Sequence, residues 1–275
     1  MNAPDSLTIE FVADLVAELV AAQTLVEQRP ITLAVLGDST AAGIGDPMGN
    51  GRFRGFAALL AEALGGPSRV RLVNTGRTGA RVACVRREQV PVALRAQPNL
   101  AVLLVGLNDT LRSDFDTTAL CEDLTGVVSE LAASGATVLL TRFHHHGKVF
   151  PLPGFLARAL DSRIDELNAV IDRVAGEQTA HCLDLAAVPA SYQPSTWSVD
   201  RLHPSEHGHR LLARAFAELL LVAGHPVPRL HSLDGADGPI PTRAQQAHWL
   251  LTRGTPWLYR RSRDLLPVAL AAATR

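Results

Sequence analysis

The stretch AVLGDSTAAGIGD, residues 34–46, is central to the interpretation of this sequence. An apolar run over residues 31–36 ends abruptly at Gly37-Asp38-Ser39, and small residues follow at once. A buried strand that ends in a short polar tripeptide can simply lead into a turn. It can also hold a serine nucleophile at the edge of a sheet. The rest of the chain has to distinguish these two interpretations.

Short apolar runs recur along the chain, and helical patterns lie between them. The runs are rich in Val and Leu on both faces, which favours buried parallel strands. Strand–helix alternation of this kind predicts an α/β protein, a three-layer α/β/α sandwich with right-handed crossovers. The runs cover residues 31–36, 69–73, 100–105, 137–143 and 180–185, and the helical patterns lie near 53–64, 81–96, 116–134, 154–175 and 205–223.

Both ends of the chain carry additional helical patterns. An amphipathic pattern over residues 7–28 predicts an N-terminal helix, which we assign to a domain spanning residues 1–223. A Gly- and Pro-rich connection follows, and residues 242–253 and 256–273 are again helical in pattern. We therefore predict that residues 224–275 form a C-terminal connection and helical extension packed on the domain. An interfacial helix at a membrane surface is the alternative for the last segment.

Composition limits the classes of function. Of the 275 residues, 47% are hydrophobic and 19% are charged, enough for a sizeable core. The net charge of −1 gives no electrostatic reason to expect a nucleic-acid partner. No basic signal-peptide region and no uncharged apolar stretch near the ~18 residues of a membrane span is present. The odd, scattered cysteines Cys84, Cys121 and Cys182 form neither a disulfide framework nor a metal motif. We expect a cytoplasmic protein without stable membrane insertion. The single lysine, Lys148, and the abundant Ala, Leu and Val indicate a bacterium with a high-GC genome.

Polar residues follow four of the five predicted strands. In a parallel sheet the carboxyl ends of the strands meet at one edge, so these segments should converge there. The segments are Gly37-Asp38-Ser39, Asn74-Thr75-Gly76, Gly106-Leu107-Asn108-Asp109 and Asp200-Arg201-Leu202-His203.

Acyl transfer requires this set of side chains. A serine such as Ser39 needs a base, which His203 can supply, and a carboxylate such as Asp200 must orient the base. The developing oxyanion then needs donors. The sequence offers the Ser39 N–H at a predicted helix start, the Gly76 N–H and the Asn108 side-chain amide.

The four polar segments resemble the four blocks of the SGNH hydrolase superfamily, also called GDSL hydrolases. The resemblance covers about residues 31–223, with Thr40 in place of the leucine of GDSL. It implies a flavodoxin-like five-stranded sheet of order 2-1-3-4-5 and ester or thioester hydrolysis without metal or cofactor. It also implies a triad and the four residues of the family name, which here are Ser39, Gly76, Asn108 and His203, with Asp200 completing the triad.

The predicted function is hydrolysis of a small or medium-sized acyl ester through an acyl-enzyme on Ser39. One alternative is an acyltransferase that uses the same triad. Another is a non-catalytic flavodoxin-like binding module that holds a phosphate with the Gly-rich loop 43–51, although this loop lacks the GxGxxG spacing and the P-loop lysine. Acyl length, the alcohol part and oligomeric state are left open by the sequence.

Two further groups of residues lie near the predicted site. His144-His145-His146 follows the fourth strand and could line a substrate pocket or form a solvated loop. We expect no metal there, because consecutive histidines rarely converge on one ion. Arg77 and Arg81 flank the Gly76 loop and could either recognise an acidic group of the substrate or face solvent.

Overall fold

Five parallel strands form the centre of the structure, a computed structural model that describes residues 30–150, 152–233 and 241–254. The strand order is β2-β1-β3-β4-β5, so the predicted fold class and strand order are confirmed. Every predicted strand end lies within one residue of the observed one. The strands are β1 Ile31–Gly37, β2 Val70–Asn74, β3 Leu100–Leu104, β4 Thr137–Arg142 and β5 His181–Asp184.

Helices cover both faces of the sheet, close to where their patterns predict them. Helix α1 packs against α7 on one face, and α5 packs against α6 on the other. The pattern near 81–96 is interrupted by a π-helical turn, Val85–Gln89, between α2 and α3. The helices are α1 Gly55–Ala63, α2 Val82–Cys84, α3 Val90–Arg95, α4 Leu107–Thr110, α5 Thr117–Ala133, α6 Gly154–Gln178, α7 Glu206–Val222 and α8 Arg243–Trp249.

The core lies on the two faces of the central strands. All five residues of β3 are buried, as are the last five of β1. On the α1 and α7 side, Phe56 and Phe216 stack with ring centroids 5.4 Å apart. Removing such apolar surface from water is the main favourable term in folding, and it fixes the strand ends that carry the polar segments.

The flanking predictions are covered only in part. The predicted helices at 7–28 and 256–273 lie outside the described residues. The pattern at 242–253 corresponds to α8 and a π-helical turn, Leu250–Gly254. The connection contacts the domain, since the Arg229 N–H donates to the Ala63 carbonyl at 3.2 Å. In the described part of the chain, no helix combines the length and apolarity required to cross a bilayer.

Candidate active site

Ser39 lies in a series of tight turns directly after β1. The Ala42 N–H donates to the Asp38 carbonyl at 3.0 Å, and the Ile44 N–H donates to the Ser39 carbonyl at 3.0 Å. The sequence predicts a helix start here, but a regular helix begins only at Gly55. These turns leave the backbone N–H of Ser39 without a partner among the described residues. The side chain of Ser39 lies at the carboxyl edge of the sheet beside the loop that carries His203.

A continuous hydrogen-bond chain joins three of the predicted site residues. His203 Nε2 lies 2.8 Å from Ser39 Oγ, and His203 Nδ1 lies 2.7 Å from Asp200 Oδ2. A carboxylate accepts only, so the network assigns the proton to Nδ1 and leaves Nε2 to accept from the serine hydroxyl. Chain segments more than 160 residues apart in sequence are thus in direct contact.

The second carboxylate oxygen of Asp200 shapes its own loop. Asp200 Oδ1 accepts hydrogen bonds from the Leu202 N–H at 2.9 Å and the His203 N–H at 3.0 Å. It also accepts from the Ser198 hydroxyl at 2.6 Å. Burial alone would raise the pKa of this carboxyl, but the bonds and the nearby charge of His203 outweigh it and lower the pKa to about 2. Asp200 is therefore a carboxylate at any pH near neutral.

Two of the three predicted oxyanion donors, the Asn108 amide and the Gly76 N–H, already have acceptors within the chain. The Asn108 amide donates to the Ala80 carbonyl at 3.2 Å and to Asp38 Oδ2 at 3.4 Å. The Gly76 N–H, predicted as an oxyanion donor, donates instead to Asn74 Oδ1 at 2.9 Å. This Asx-type contact forms because Asn74 is two residues before Gly76 in a turn. Gly76 is packed so closely that a Cβ there would lie 2.6 Å from a neighbouring backbone nitrogen.

Two residues that were not predicted as site residues, Asp38 and Gln89, also lie at the end of β1 beside Ser39. Asp38 lies beside Ser39 and is 4% exposed, and its burial raises its pKa to about 6 against the lowering effect of the Thr40 N–H and the charge of His203. Gln89 is buried and pairs with both backbone groups of Gly37, accepting from its N–H at 2.8 Å and donating to its carbonyl at 2.9 Å. A polar residue on the apolar face of the helical pattern at 81–96 could have indicated that the Gln89 side chain is buried and hydrogen-bonded.

The histidine triplet alternates between the interior and the surface. His144 and His146 are 3% and 2% exposed, so the interpretation as a solvated loop is wrong for both. His145 points outward and lies 2.7 Å from Asp165. Among the described residues, no group of three or more potential ligands is placed to hold a metal ion. The two buried histidines line a cavity together with Thr40, Trp197, Leu202 and Pro204.

The two arginines near the Gly76 loop are both ion-paired within the chain. Arg77 lies 2.6 Å from Glu88. Arg81 contacts Asp109 at 3.2 Å and Asp114 at 3.0 Å. Arg81 is therefore balanced by two carboxylates, whereas Glu88 also contacts Arg87 and is shared between two arginines. The interpretation as a group that recognises an acidic substrate is thus weakened for Arg81 only.

A doubly wound parallel sheet with a hydrogen-bonded serine, histidine and aspartate at its carboxyl edge defines the class of the protein as a serine hydrolase. Residues 35–211 match the model of the GDSL-like lipase/acylhydrolase family, to which this chain belongs. It is accordingly a carboxylic ester hydrolase, as the SGNH resemblance predicted.

Relatives and solved structures agree with this assignment. An acetylxylan esterase of Geobacillus stearothermophilus is 26% identical over 200 residues, which cover 67% of this chain and 91% of the relative. The crystal structure of TesA is 25% identical, with a TM-score of 0.55 over 69% of this chain and 97% of TesA. LAE5, an α/β hydrolase from the metagenome of Lake Arreo, Spain, shares the fold at 23% identity, with a TM-score of 0.56 over 70% of this chain and 95% of LAE5.

Proposed function

We propose that this protein hydrolyses small or medium-sized acyl esters through a covalent acyl-enzyme on Ser39. The observation that supports this most directly is the hydrogen-bond chain from Ser39 through His203 to Asp200, with distances of 2.8 and 2.7 Å. A nucleophile bonded to a base, which is in turn oriented by a third group, is the geometry that covalent catalysis requires.

In this mechanism Ser39 Oγ attacks the ester carbonyl carbon while His203 Nε2 takes the hydroxyl proton. Asp200 stabilises the resulting imidazolium through Nδ1–H. The tetrahedral intermediate collapses, the bond to the alcohol oxygen breaks, and His203 gives its proton to that oxygen. A water molecule then attacks the acyl-enzyme, with His203 again as base, and the acid is released with Ser39 restored.

We propose that the oxyanion is held by the Ser39 N–H and the Asn108 amide. The third donor is the Gly76 N–H, once it is released from Asn74. Each such donor contributes most when it is fixed before the charge develops.

The choice of substrate to test first comes from the relative. Catalytic mutants of the Geobacillus acetylxylan esterase replace a serine, an aspartate and a histidine, the last two separated by three positions. Asp200 and His203 have the same separation. We propose acetylated carbohydrates as a first substrate class, to be screened beside p-nitrophenyl esters of increasing chain length. Adding an alcohol to the assay distinguishes hydrolysis from acyl transfer.

We also propose that the protein works in the cytoplasm, since Cys84, Cys121 and Cys182 are all unpaired. Reducing compartments keep thiols in this state. Fractionation of the source cells tests the proposal, and recovery of the protein outside the cytoplasm would contradict it.

A fluorophosphonate probe tests the proposed mechanism. The wild-type protein should be labelled on the peptide that contains Ser39, and Ser39→Ala should abolish both labelling and turnover. Ser68→Ala, an exposed serine far from the site in sequence, is the matched control and should label normally. A Ser39→Ala variant that keeps more than about a tenth of the wild-type rate would refute the assignment, since knockouts of triad serines cost roughly 10⁶ in kcat.

A further inference from the structure

We propose that His146 is a positioning residue for the Asp200–His203 loop, because its Nε2–H holds the carbonyl of Arg201 between the two triad residues. His146 Nε2 lies 3.0 Å from the Arg201 carbonyl oxygen, and the imidazole is almost completely buried. The proposal goes beyond the proposed function but rests on it, since it takes Asp200 and His203 as members of the triad.

The loop needs an external support because its backbone is strained. Arg201 has a φ of +56°, in the left-handed region, although it carries a Cβ. This conformation is unfavourable for a residue with a Cβ and persists only where the surroundings fix it. The Arg201 N–H donates to the Ser198 carbonyl at 3.0 Å, within the loop itself. The bond from His146 fixes the other side of the residue from a different part of the chain.

One carbonyl determines the protonation of two buried histidines. A carbonyl oxygen can only accept, so His146 must carry its proton on Nε2. Burial lowers the pKa of His146 to about 4, which makes the ring neutral and leaves Nδ1 as an acceptor. His144 Nε2, 3.2 Å away, then has to donate to that Nδ1. His144 Nδ1 is left as a bare acceptor with no partner in the described chain.

The ring of His146 is fixed by the side chains around it. It meets Trp197 edge-on with ring centroids 5.0 Å apart and stacks on Phe150 at 6.4 Å. His146 follows the end of β4 by four residues. The His146 ring is therefore held at the edge of the same sheet that positions Ser39. Its hydrogen bond to Arg201 fixes the His203 loop relative to that sheet.

The expected effect follows from the geometry that the reaction needs. The reacting atoms must stay close to a productive arrangement, and a displacement of ~1 Å can cost ~10²-fold in rate. Loss of the His146 donor should let the Arg201 peptide rotate and move His203 away from Ser39. Turnover should fall, while substrate binding by the rest of the cleft should change little.

Two substitutions separate the donor from the shape of the side chain. His146→Gln keeps an N–H for the Arg201 carbonyl and an oxygen acceptor for His144. His146→Met has similar bulk and adapts to irregular cores but has no donor. We expect His146→Met to lower kcat at least 10-fold with KM within a factor of two, and His146→Gln to restore most of the loss. His145→Gln, at the outward-facing neighbour, is the control and should match the wild type.

NMR provides readouts that do not depend on activity. The His203 Nδ1 proton that bridges to Asp200 should give a signal in the wild type and in His146→Gln, and a weakened or shifted signal in His146→Met. Ring-nitrogen shifts of the wild type should show the Nε2–H tautomer at His146, which remains a test if His146→Met does not fold.

Three results would overturn the proposal: an Nδ1–H tautomer at His146, a folded His146→Met variant with unchanged kcat, or a folded His146→Gln variant as slow as His146→Met. Failure of the proposed function is distinguishable, because it would appear as probe labelling that survives Ser39→Ala.

Discussion

The two oxygens of the Asp200 carboxylate have different partners and different tasks. Oδ2 accepts from the ring of His203, and Oδ1 accepts from the backbone of the loop. An amide in place of the carboxylate can keep the oxygen that organises the loop. It would then present an NH₂ group to the His203 Nδ1–H, and two donors cannot pair.

We therefore expect Asp200→Asn to fold normally and to lose ~10⁴ in kcat, the size of the loss when a triad aspartate is replaced in this way. The measurement is kcat and Tm of the purified variant. Asp165→Asn is a matched control, because Asp165 contacts His145 at the same 2.7 Å outside the site.

A chelator should leave the wild-type rate unchanged. Loss of activity on chelation that zinc restores would instead favour a metal site.

Asn108 links the turn that carries Ser39 to the neighbouring loop through its side-chain amide. The oxyanion role proposed for Asn108 predicts that its removal lowers kcat by ~10² to 10³ and leaves KM almost unchanged. The bonds to Ala80 and Asp38 are long, so Asn108→Ala should cost only about 1 kcal/mol of unfolding free energy. Kinetics and thermal melting test this, with Asn50→Ala in an exposed loop as control. A large drop in Tm with kcat preserved would make Asn108 a structural residue.

At the scale of elements, the π-helical turn between α2 and α3 brings Gln89 to the end of β1. Its side-chain amide pairs with the Gly37 backbone much as a neighbouring strand would, and the Thr75 hydroxyl also donates to Gln89 Oε1 at 3.2 Å. The Gly37 carbonyl has a second donor in the Arg77 N–H, but the N–H of Gly37 depends on Gln89.

Gln89→Ala should therefore leave one buried N–H without a partner, at a cost of ~1–3 kcal/mol in unfolding free energy. We expect Tm to fall by roughly 2 to 10 °C. Thermal and urea unfolding measure the change, and Gln193→Ala, at an exposed glutamine, should have almost no effect. Equal melting temperatures for the two variants would show that the Gln89 pairing contributes nothing.

The turn after Ser39 and the loop after His203 approach closely at Gly45. A Cβ at Gly45 would lie 1.9 Å from the Pro204 carbonyl oxygen, and its φ of +105° strains any other residue. Gly45→Ala should separate the two segments and thus Ser39 from His203. We expect at least a 10-fold lower kcat together with a lower Tm. Gly49→Ala, where no atom lies within 4 Å of the Cβ position, is the control. Normal turnover by Gly45→Ala would show that the two segments adjust independently.

At the scale of the whole molecule, three buried histidines make stability depend on pH. Burial lowers the pKa of His144 to about 3, and of His146 and His209 to about 4, from the ordinary 6.5. The unfolded chain therefore binds more protons than the folded one between about pH 4 and 6.5. Stability is fully present above pH 6.5 and is lost as the pH falls through this window. Asp38 acts in the opposite direction, because its pKa is raised to about 6.

Burial also lowers the pKa of His225 and raises that of Asp109, and these two groups act in opposite directions. The excess of histidines with a lowered pKa over carboxyls with a raised pKa gives a net difference of up to about two protons, so Tm should fall by roughly 5 to 10 °C per pH unit below 6.5. Thermal melts at constant ionic strength between pH 7.5 and 4.5 measure this slope. His146→Gln should reduce it, whereas His248→Gln, at an exposed histidine, should not. A Tm that stays constant down to pH 4.5 would contradict the prediction.

Local properties of the sequence were sufficient to predict the order of the elements and the segments that carry the site. Strand and helix periodicities are local properties, so every strand end could be placed within a residue. The loop from Asp200 to His203 is also local, because an aspartate accepts from backbone groups two and three residues ahead. The helix expected after Ser39 was wrong, since small residues and glycines favour turns as readily as helix.

Which groups meet across the fold depends on tertiary packing and could not be predicted from the sequence. The Gly76 N–H, which was expected to face the substrate oxyanion, donates to Asn74 Oδ1. Gln89 reaches the end of β1 through a π-helical turn, which the periodicity of the sequence does not predict. His144 and His146 point inward and His145 outward because the backbone at His145, between them, is extended, which places neighbouring side chains on opposite sides. Contacts between distant segments depend on packing to fractions of an ångström. Local sequence patterns carry no information at that precision.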